Sequence, residues 1–418
     1  MNKYRSYIIT LLSISISIFL FTKCINIANE QPGTVVTSDS SFEKYAGSQT
    51  CASCHKDIYD KHMLTAHFLT SAIATETNIK GSFQPGMNSF VYNNGNSISM
   101  EKKADGFYQA GYINGIEKKS QRFDMVIGSG TKGQSYASWV HNKLVQLPIT
   151  YFTAAHQWSN SPGYPNKMAF NRPITSRCLE CHSTYADKIS STGVEPEEFD
   201  RNRIISGVDC EKCHGPAGKH VAFQTKNPLE TKAKYIINPA TFSRLQSLDM
   251  CSLCHGGRLQ KSQPSFEFTA GDKLSDFFVM DTTAKDANNI DVHGNQYGLL
   301  AASKCFKLSK TLTCISCHNT HENEKGKMAL YSQRCMTCHS IEHKNDMVCK
   351  LTHTLGGVIK TNCIDCHMPE QPSMAIAVIL QGATTPTPAS MRTHYIKIYN
   401  DETKKILAYF KDSGNKIL

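Results

Sequence analysis

The chain begins with a basic segment followed by an apolar one. Met1 to Arg5 carries two positive charges, and Ile8 to Phe21 is apolar apart from Thr10 and serines. The apolar run holds roughly 14 residues, whereas a helix needs about 20 to cross a bilayer. A short basic start before a short apolar run is typical of a secretion signal, which we place at residues 1–24.

Cys24 follows this run directly, and its role stays open between three outcomes. These are acylation as a lipoprotein, ordinary cleavage near this point, and a retained anchor. Lys23 stands before the cysteine, where acylation sites usually carry a small residue. Residues 25–44 are polar and contain Gly, Pro, Thr and Ser, a composition that predicts a tether.

A cysteine-free stretch at residues 83–152 has a strand-like pattern. Short apolar or alternating runs predict strands, and Gly-containing dipeptides between or beside them predict tight turns. The strand runs are Phe90–Tyr92, Ser97–Met100, Phe107–Tyr108 and Tyr112–Ile113, and the turns are Asn94-Gly95, Asp105-Gly106 and Asn114-Gly115. We therefore predict a small antiparallel β insert. Gly128 to Gly133 matches G-x-G-x-x-G but lacks a strand–helix context, so it predicts only a turn.

Elsewhere the pattern predicts short helices and irregular chain. Ile58, Met63, Leu64 and Phe68 are apolar at helical spacing, and Thr403 to Phe410 predicts a surface helix. The expected fold class is mainly α and irregular, with the small antiparallel β insert as its one sheet.

Seven copies of C-x-x-C-H use 14 of the 17 cysteines. In this motif each thiol adds to a haem vinyl group, and the adjacent His becomes the proximal iron ligand. A zinc site would leave the invariant position of the His unexplained, and a disulfide scaffold would not repeat one spacing. The sequence therefore predicts seven covalent haems c. The motifs are Cys51–Cys54–His55, Cys178–Cys181–His182, Cys210–Cys213–His214, Cys251–Cys254–His255, Cys314–Cys317–His318, Cys335–Cys338–His339 and Cys363–Cys366–His367.

Six motifs lie between Cys178 and His367, so each haem has few residues to itself. Such a chain cannot build a large aliphatic core, and the porphyrins are expected to serve as the core. We predict a first haem segment at 45–82, the β insert at 83–152, a six-haem core at 153–370 and a C-terminal segment with a surface helix at 371–418.

The formal net charge of +10 does not indicate nucleic-acid binding. The leader contributes three of these positive charges, at Lys3, Arg5 and Lys23. Each ferric haem with two axial histidines adds about one negative charge through its propionates, so seven haems roughly cancel the rest. Basic side chains beside propionates explain the excess.

Ten histidines lie outside the motifs, which is enough for a second axial ligand on every haem. We predict distal ligands at His67, His220, His293, His321 and His394, and add His156 and His353 to the candidates. His62, His141 and His343 are less favoured. Cys305 and Cys349 remain after Cys24 is set aside, and in an oxidising compartment they are expected to form a disulfide, against the alternative of two buried thiols.

The motifs and their surroundings resemble the superfamily of periplasmic multihaem cytochromes c, which includes the tetrahaem cytochrome of ammonia oxidation and the multihaem nitrite and hydroxylamine enzymes. The matching segments are Gly47–His55 with His67, Gly207–His220, Cys314–His321 and Asn362–Pro369. The resemblance implies closely packed haem pairs with bis-His irons. The chain lacks the C-x-x-C-K motif that forms one haem site in the nitrite reductases. The tyrosine cross-link of the hydroxylamine enzymes is not identified in it either.

The leading functional hypothesis is an electron carrier in the periplasm or cell envelope. Its partners would be other redox proteins or a quinol-linked membrane complex, with membrane attachment through Cys24 left open. The alternative is a reductase of small nitrogen or sulfur oxyanions with one five-coordinate haem. A third, less favoured hypothesis is a sensor in which the β insert binds a ligand.

Overall fold

The computed structural model describes residues 42–92, 94–190, 196–279, 286–339, 349–355 and 358–412. All seven C-x-x-C-H motifs lie in these ranges. The signal segment, Cys24 and His343 lie outside the described residues, as does the side chain of His353. Within the described residues, no helix is long and apolar enough to cross a membrane.

Strands occupy far more of the chain than a small insert. Most are short and pair with a sequence neighbour. They are β1 Ser71–Ile73, β2 Ser89–Val91, β3 Ser97–Lys103, β4 Gly106–Ile113, β5 Ile116–Arg122, β6 Met125–Ile127, β7 Gly133–Val140, β8 Lys143–Gln146, β9 Ile149–Phe152, β10 Gln157–Asn160, β11 Arg172–Pro173, β12 Ser183–Ser190, β13 Glu198–Ser206, β14 Gln260–Lys261, β15 Phe278–Val279, β16 Glu370–Val378 and β17 Thr387–Arg392.

Helices are mostly short, and six of them carry all or most of a C-x-x-C-H motif. They are α1 Ser48–His62, α2 Ser176–His182, α3 Cys210–His214, α4 Gly218–Lys226, α5 Arg244–His255, α6 Gln296–Ala302, α7 Lys304–Leu308, α8 Met328–His339, α9 Thr352–Leu355, α10 Val358–Thr361, α11 Ile364–His367 and α12 Asn400–Asp412. The Cys314 motif starts in a 3₁₀ turn at Cys314–Ser316.

The strands form two larger antiparallel sheets and three two-stranded ones. β2 to β5 make a four-stranded meander, and β1, β6 to β11 make a seven-stranded sheet. Phe90, Ile98 and Met100 from the meander pack with Tyr136 and Trp158 from the larger sheet in one buried cluster. This apolar core forms without cofactors, because the alternating residues of both sheets meet across it.

The predicted fold class, mainly α with a small β insert, is wrong. Of the residues that the structure describes, 33% are helical and 26% are in strands, which form several multi-stranded sheets. The strand runs predicted at 90–113 are present as β2, β3 and β4. The error lies elsewhere: β12 and β13 form a hairpin between the second and third motifs, and β16 and β17 form another after the seventh. The prediction assigned those segments to the haem core and the C-terminal segment on motif spacing alone.

The Gly128–Gly133 segment is a turn, as its context predicted. It joins β6 to β7, which pair antiparallel, so no strand–turn–helix unit is present. Gly128 and Gly130 have φ values of +103° and +77°. These angles are in the region that favours glycine, which explains the residue type at both positions.

Candidate haem sites

A continuous cavity of about 2850 Å³ runs between the motif-bearing helices and the seven-stranded sheet. It is lined by the proximal histidines of the first five motifs. A cavity of about 300–1,000 Å³ holds a drug-sized ligand, so this one has room for several porphyrins. Ile127, Phe152 and Ile174 from the sheet region line its wall. The sheet therefore covers the sites predicted for the haems.

Helical geometry explains how each motif presents its three reactive groups. Residues i, i+3 and i+4 share one face of a helix, which places both cysteines and the histidine on the same side. In α2, for example, Cys178, Cys181 and His182 line the same cavity. Asp209 caps the next such helix, α3, by accepting a hydrogen bond from the backbone N–H of Cys210. Within the described residues, no cluster of three or more His, Cys, Asp or Glu suits an isolated metal ion.

Three proximal histidines each face a second imidazole from a distant segment. His67 and His321 were predicted as distal ligands because they follow other motifs, and His394 because it lies in a segment without one. The facing pairs are His67 with His255, 6.2 Å between ring centres; His214 with His321, 6.0 Å; and His318 with His394, 5.9 Å.

This separation fits an iron atom held between the two rings. A metal–imidazole nitrogen bond is about 2 Å, as at zinc, and the ring centre lies about 1 Å beyond the nitrogen, which gives about 6 Å between ring centres. Two stacked rings in direct contact would be closer. The pairs thus have the geometry expected of axial ligands for the haems of the third, fourth and fifth motifs.

Burial keeps these rings in the form that binds iron. Desolvation is the main cause that lowers the pKa of His67 to about 4, helped by His255, His62 and His318. Desolvation likewise lowers the pKa of His394 to about 4. A neutral imidazole has the free lone pair that a metal requires. Burial lowers the pKa in the same direction at the remaining rings of the three pairs for which a shift is resolved: His255, His318 and His321.

Hydrogen bonds fix the orientation of several rings through Nδ1, leaving Nε2 for iron. His214 Nδ1 lies 2.9 Å from the carbonyl oxygen of Ile237, and His367 Nδ1 lies 3.0 Å from that of Lys397. His182 Nδ1 approaches the Thr70 carbonyl at 3.4 Å. A backbone acceptor on Nδ1 selects the tautomer and raises the basicity of the ligating nitrogen.

His220 and His293 lie where ligation is possible, although neither belongs to the three facing pairs. His220 lines the same cavity as His55, and its Nδ1 lies 2.8 Å from the Lys234 carbonyl oxygen. His293 acts electrostatically on His182 and lowers its pKa further, after burial. Both assignments stay predictions.

Asp291 anchors the segment that carries His293. Its carboxylate accepts hydrogen bonds from the His293 N–H at 2.7 Å, the Ser373 hydroxyl at 3.0 Å and the Ala375 N–H at 3.2 Å. Met374 N–H donates to it as well. No local sequence pattern indicates this contact, because Asp291 and Ser373 are far apart in the chain and meet only where β16 folds back.

Other histidines have different surroundings. His156, a predicted candidate, is exposed at a positive φ of 51° in the turn before β10 and does not line the cavity. His141 is also an exposed turn residue, with φ 55°. His62 is buried, with its two ring nitrogens 3.2 Å from the Thr320 carbonyl oxygen and 3.1 Å from that of Val208. The surroundings of these three histidines do not support them as haem ligands.

Cysteines of different motifs lie close enough to shift one another's pKa. These pairwise interactions between thiols indicate which attachment sites are neighbours in space. The pairs are Cys51 with Cys210, Cys181 with Cys254, Cys251 with Cys314, and Cys335 with Cys363.

The predicted Cys305–Cys349 disulfide is not formed in the structure. Cys305, on α7, is a half-buried thiol whose pKa is raised mainly by burial, with a contribution from Cys338. Burial raises the pKa of the Cys366 thiol, and Cys349 contributes to this shift. The electrostatic partners of the two cysteines therefore differ: Cys305 interacts with a cysteine of the sixth motif, and Cys349 with a cysteine of the seventh.

Comparison with known proteins gives three matches. The model of the family described as cytochrome c554 and c-prime matches residues 135–215, which contain the second and third motifs. The chain is 23% identical over 196 residues to the multiheme cytochrome MtrA of Shewanella baltica (strain OS185). The chain belongs to the multihaem c-type cytochromes. This multihaem cytochrome spans only 45% of MtrA, and that alignment covers 46% of its own length.

A solved structure supports the fold of this multihaem cytochrome over most of its length. The outer cell wall cytochrome OcwA matches with a TM-score of 0.51 and covers 87% of this chain and 82% of that one. The identity is 16%, so the likeness concerns the fold. It extends well beyond the segment that the family model matches, to most of the motif-bearing chain.

Proposed function

We propose that this chain carries electrons through seven covalently attached haems c, most of them with two histidine ligands, in the cell envelope. The observation that supports this most directly is the set of three facing imidazole pairs. Their ring centres are separated as two axial ligands of one haem would be, and the paired histidines come from segments far apart in sequence. An iron with two protein ligands has no position for a substrate, so it exchanges electrons only. Redox proteins are the proposed donors and acceptors, and haem-bearing relatives such as MtrA support this class of partner.

The thiol contacts support a continuous path. Each cysteine sulfur would be bonded to the edge of its own porphyrin, so touching sulfurs bring two porphyrin edges together. The contacts join the first motif to the third, the second to the fourth, the fourth to the fifth and the sixth to the seventh. Short edge separations favour fast electron exchange between these pairs.

One hydrogen bond and one electrostatic interaction connect these pairs further. Arg334, on the helix of the sixth motif, donates to the carbonyl oxygen of Cys317 in the fifth at 2.7 Å. Cys213 in the third motif acts electrostatically on Cys251 in the fourth. The proposed order is therefore 1–3–4–5–6–7, with the second haem attached beside the fourth.

The number of haems tests the cofactor part of the proposal. We expect seven haems c per mature chain, because all seven motifs are complete. Pyridine haemochrome absorbance per chain, together with intact mass after denaturation, gives the count. Five or fewer haems in a fully matured sample would show that some motifs are not attachment sites.

Ring orientation predicts the electron paramagnetic resonance spectrum of the oxidised protein. The rings of His214 with His321 and of His318 with His394 are inclined at 19° and 28°, whereas those of His67 with His255 are inclined at 64°. Near-parallel axial rings give rhombic low-spin signals, and strongly inclined rings give a signal with a large maximal g value. We expect both types, and a spectrum without the second type would contradict the His67 assignment.

A turnover assay separates the carrier from the reductase alternative. The isolated protein should be reduced by an artificial donor and reoxidised by a redox protein, but should not reduce nitrite, hydroxylamine or tetrathionate rapidly. Consumption of any of them at about 10 per second or more, a typical enzyme rate, would favour a catalytic open haem over the carrier.

A further inference from the structure

The axial rings predicted for the haem of the fifth motif differ from the rings of His214 and His367 in their hydrogen bonds. His214 and His367 have carbonyl oxygens 2.9 and 3.0 Å from Nδ1. His318 Nδ1 instead faces the hydroxyl of Tyr331 at 3.4 Å. With iron on Nε2, Nδ1 carries the hydrogen and donates it to the tyrosine oxygen. A neutral hydroxyl at this distance is a weaker acceptor than a backbone carbonyl at 2.9 Å.

Tyr331 is held in place by a network on α8. Its ring meets His318 edge-on at 5.4 Å between centres. The guanidinium of Arg334 lies 5.6 Å from the tyrosine ring centre. Arg334 forms a two-pronged ion pair with the buried carboxylate of Glu324, at 2.7 and 2.5 Å. The hydroxyl therefore stays opposite His318 instead of turning to solvent.

The opposite ligand makes an even weaker contact. Within the described residues, Nδ1 of His394 is buried and has no hydrogen-bond partner. The backbone of Arg392 is close enough to raise the pKa of this ring slightly through a weak, hydrogen-bond-like interaction, but it completes no hydrogen bond of normal geometry. The segment itself is fixed, because the Ser303 hydroxyl lies 3.0 Å from the His394 carbonyl oxygen. The ring cannot easily move to find an acceptor.

Hydrogen bonds from Nδ1–H increase electron donation to the iron and stabilise its ferric form. We propose that the weak acceptors of His318 and His394 make the haem of the fifth motif easier to reduce than the haem of the third motif, where the Ile237 carbonyl is a strong acceptor for His214. Tyr331 is then a residue that sets this potential. The inference rests on the proposed function and makes electron flow from the third haem towards the fifth favourable.

Assignment of the signals comes first. In a redox titration followed by electron paramagnetic resonance, the haem of the fifth motif is identified by His394→Ala, which should make one iron high-spin. His394→Met provides a second variant, because methionine can keep the iron six-coordinate and raise its potential. If neither variant changes any haem signal, the ligand assignment and the proposed bis-His function at this site fail together, independently of the tuning.

Tyr331→Phe tests the tuning. Loss of the acceptor should raise the reduction equilibrium constant of that one haem roughly three- to tenfold, where tenfold corresponds to about 59 mV. The low-spin signal should persist, because the ligands remain. Tyr108→Phe, which removes a hydroxyl bound to Asp105 in the β-meander, is the matched control and should change no potential.

Two results support the proposal: on reduction of the wild-type protein the assigned signal disappears before that of the haem of the third motif, and its potential rises in Tyr331→Phe. If the assigned haem is reduced together with or after that of His214, the proposed order of potentials is wrong. If its potential stays within twofold in Tyr331→Phe, the role of Tyr331 is wrong even where the ligand variants behave as expected.

Discussion

Replacing Glu211 by alanine is expected to destabilise the protein by about 3–5 kcal/mol, since a lost acceptor costs about 1–3 kcal/mol for each buried donor. Glu211 lies between the two cysteines of the third motif and is buried. Its Oε1 accepts the N–H groups of Ala46 at 2.8 Å and Ala217 at 2.7 Å, and Oε2 accepts that of Gly47 at 2.9 Å. The carboxylate thereby fixes the start of α1 against α3.

Denaturant unfolding with matched variants measures this effect. Glu267→Ala removes an exposed carboxylate and should leave the unfolding midpoint nearly unchanged. Glu211→Gln keeps one oxygen but turns an amide towards a backbone donor. Its unfolding midpoint should therefore lie between those of Glu211→Ala and Glu267→Ala. Equal midpoints for Glu211→Ala and Glu267→Ala would show that the contact does not stabilise the fold.

His67→Ala should convert one low-spin haem to high-spin while leaving the covalent haem count unchanged. Its ring faces His255 across a space that fits one iron, and the neighbouring segment is held by backbone hydrogen bonds that do not depend on the ring. Val208 N–H donates to the His67 carbonyl oxygen at 2.9 Å. The strongly inclined pair is lost, so the signal with the large maximal g value should disappear.

His141→Ala and His156→Ala are the controls for this experiment. Both residues lie in exposed turns, so the spectrum should stay as in the wild-type protein. A high-spin signal in His156→Ala would restore that residue as a ligand, and an unchanged spectrum in His67→Ala would remove His67 from the set.

The cysteine motifs could be predicted from sequence because their chemistry is local. Cys178, Cys181 and His182 are close in the chain, and one helical turn places them together. The partners of His214, His255 and His318 could only be ranked, since each lies far away in sequence. His156 shows the limit of this ranking. It was a candidate because it is one of the histidines outside the motifs, but the backbone places it in an exposed turn.

The sheets were underestimated for a related reason. β2 to β4 have alternating residues and Gly-containing turns, so the local pattern was enough to predict these strands. The hairpin of β12 and β13 has several irregularities in register, which weaken the alternation that would reveal it. No sequence pattern indicated the roles of Glu211, Asp291 and Tyr331, because these roles depend on contacts between segments that the fold brings together.

The position of His394 has a consequence for maturation. A chain that leaves the cytoplasm with its N-terminus first exposes all seven attachment motifs before this residue emerges. The haem of the fifth motif would then be attached while its second ligand is still missing, whereas His67 precedes the motif that it serves. A nascent or truncated chain lacking residue 394 would therefore carry an iron open to small ligands, and export of the C-terminal segment would be the step that closes it.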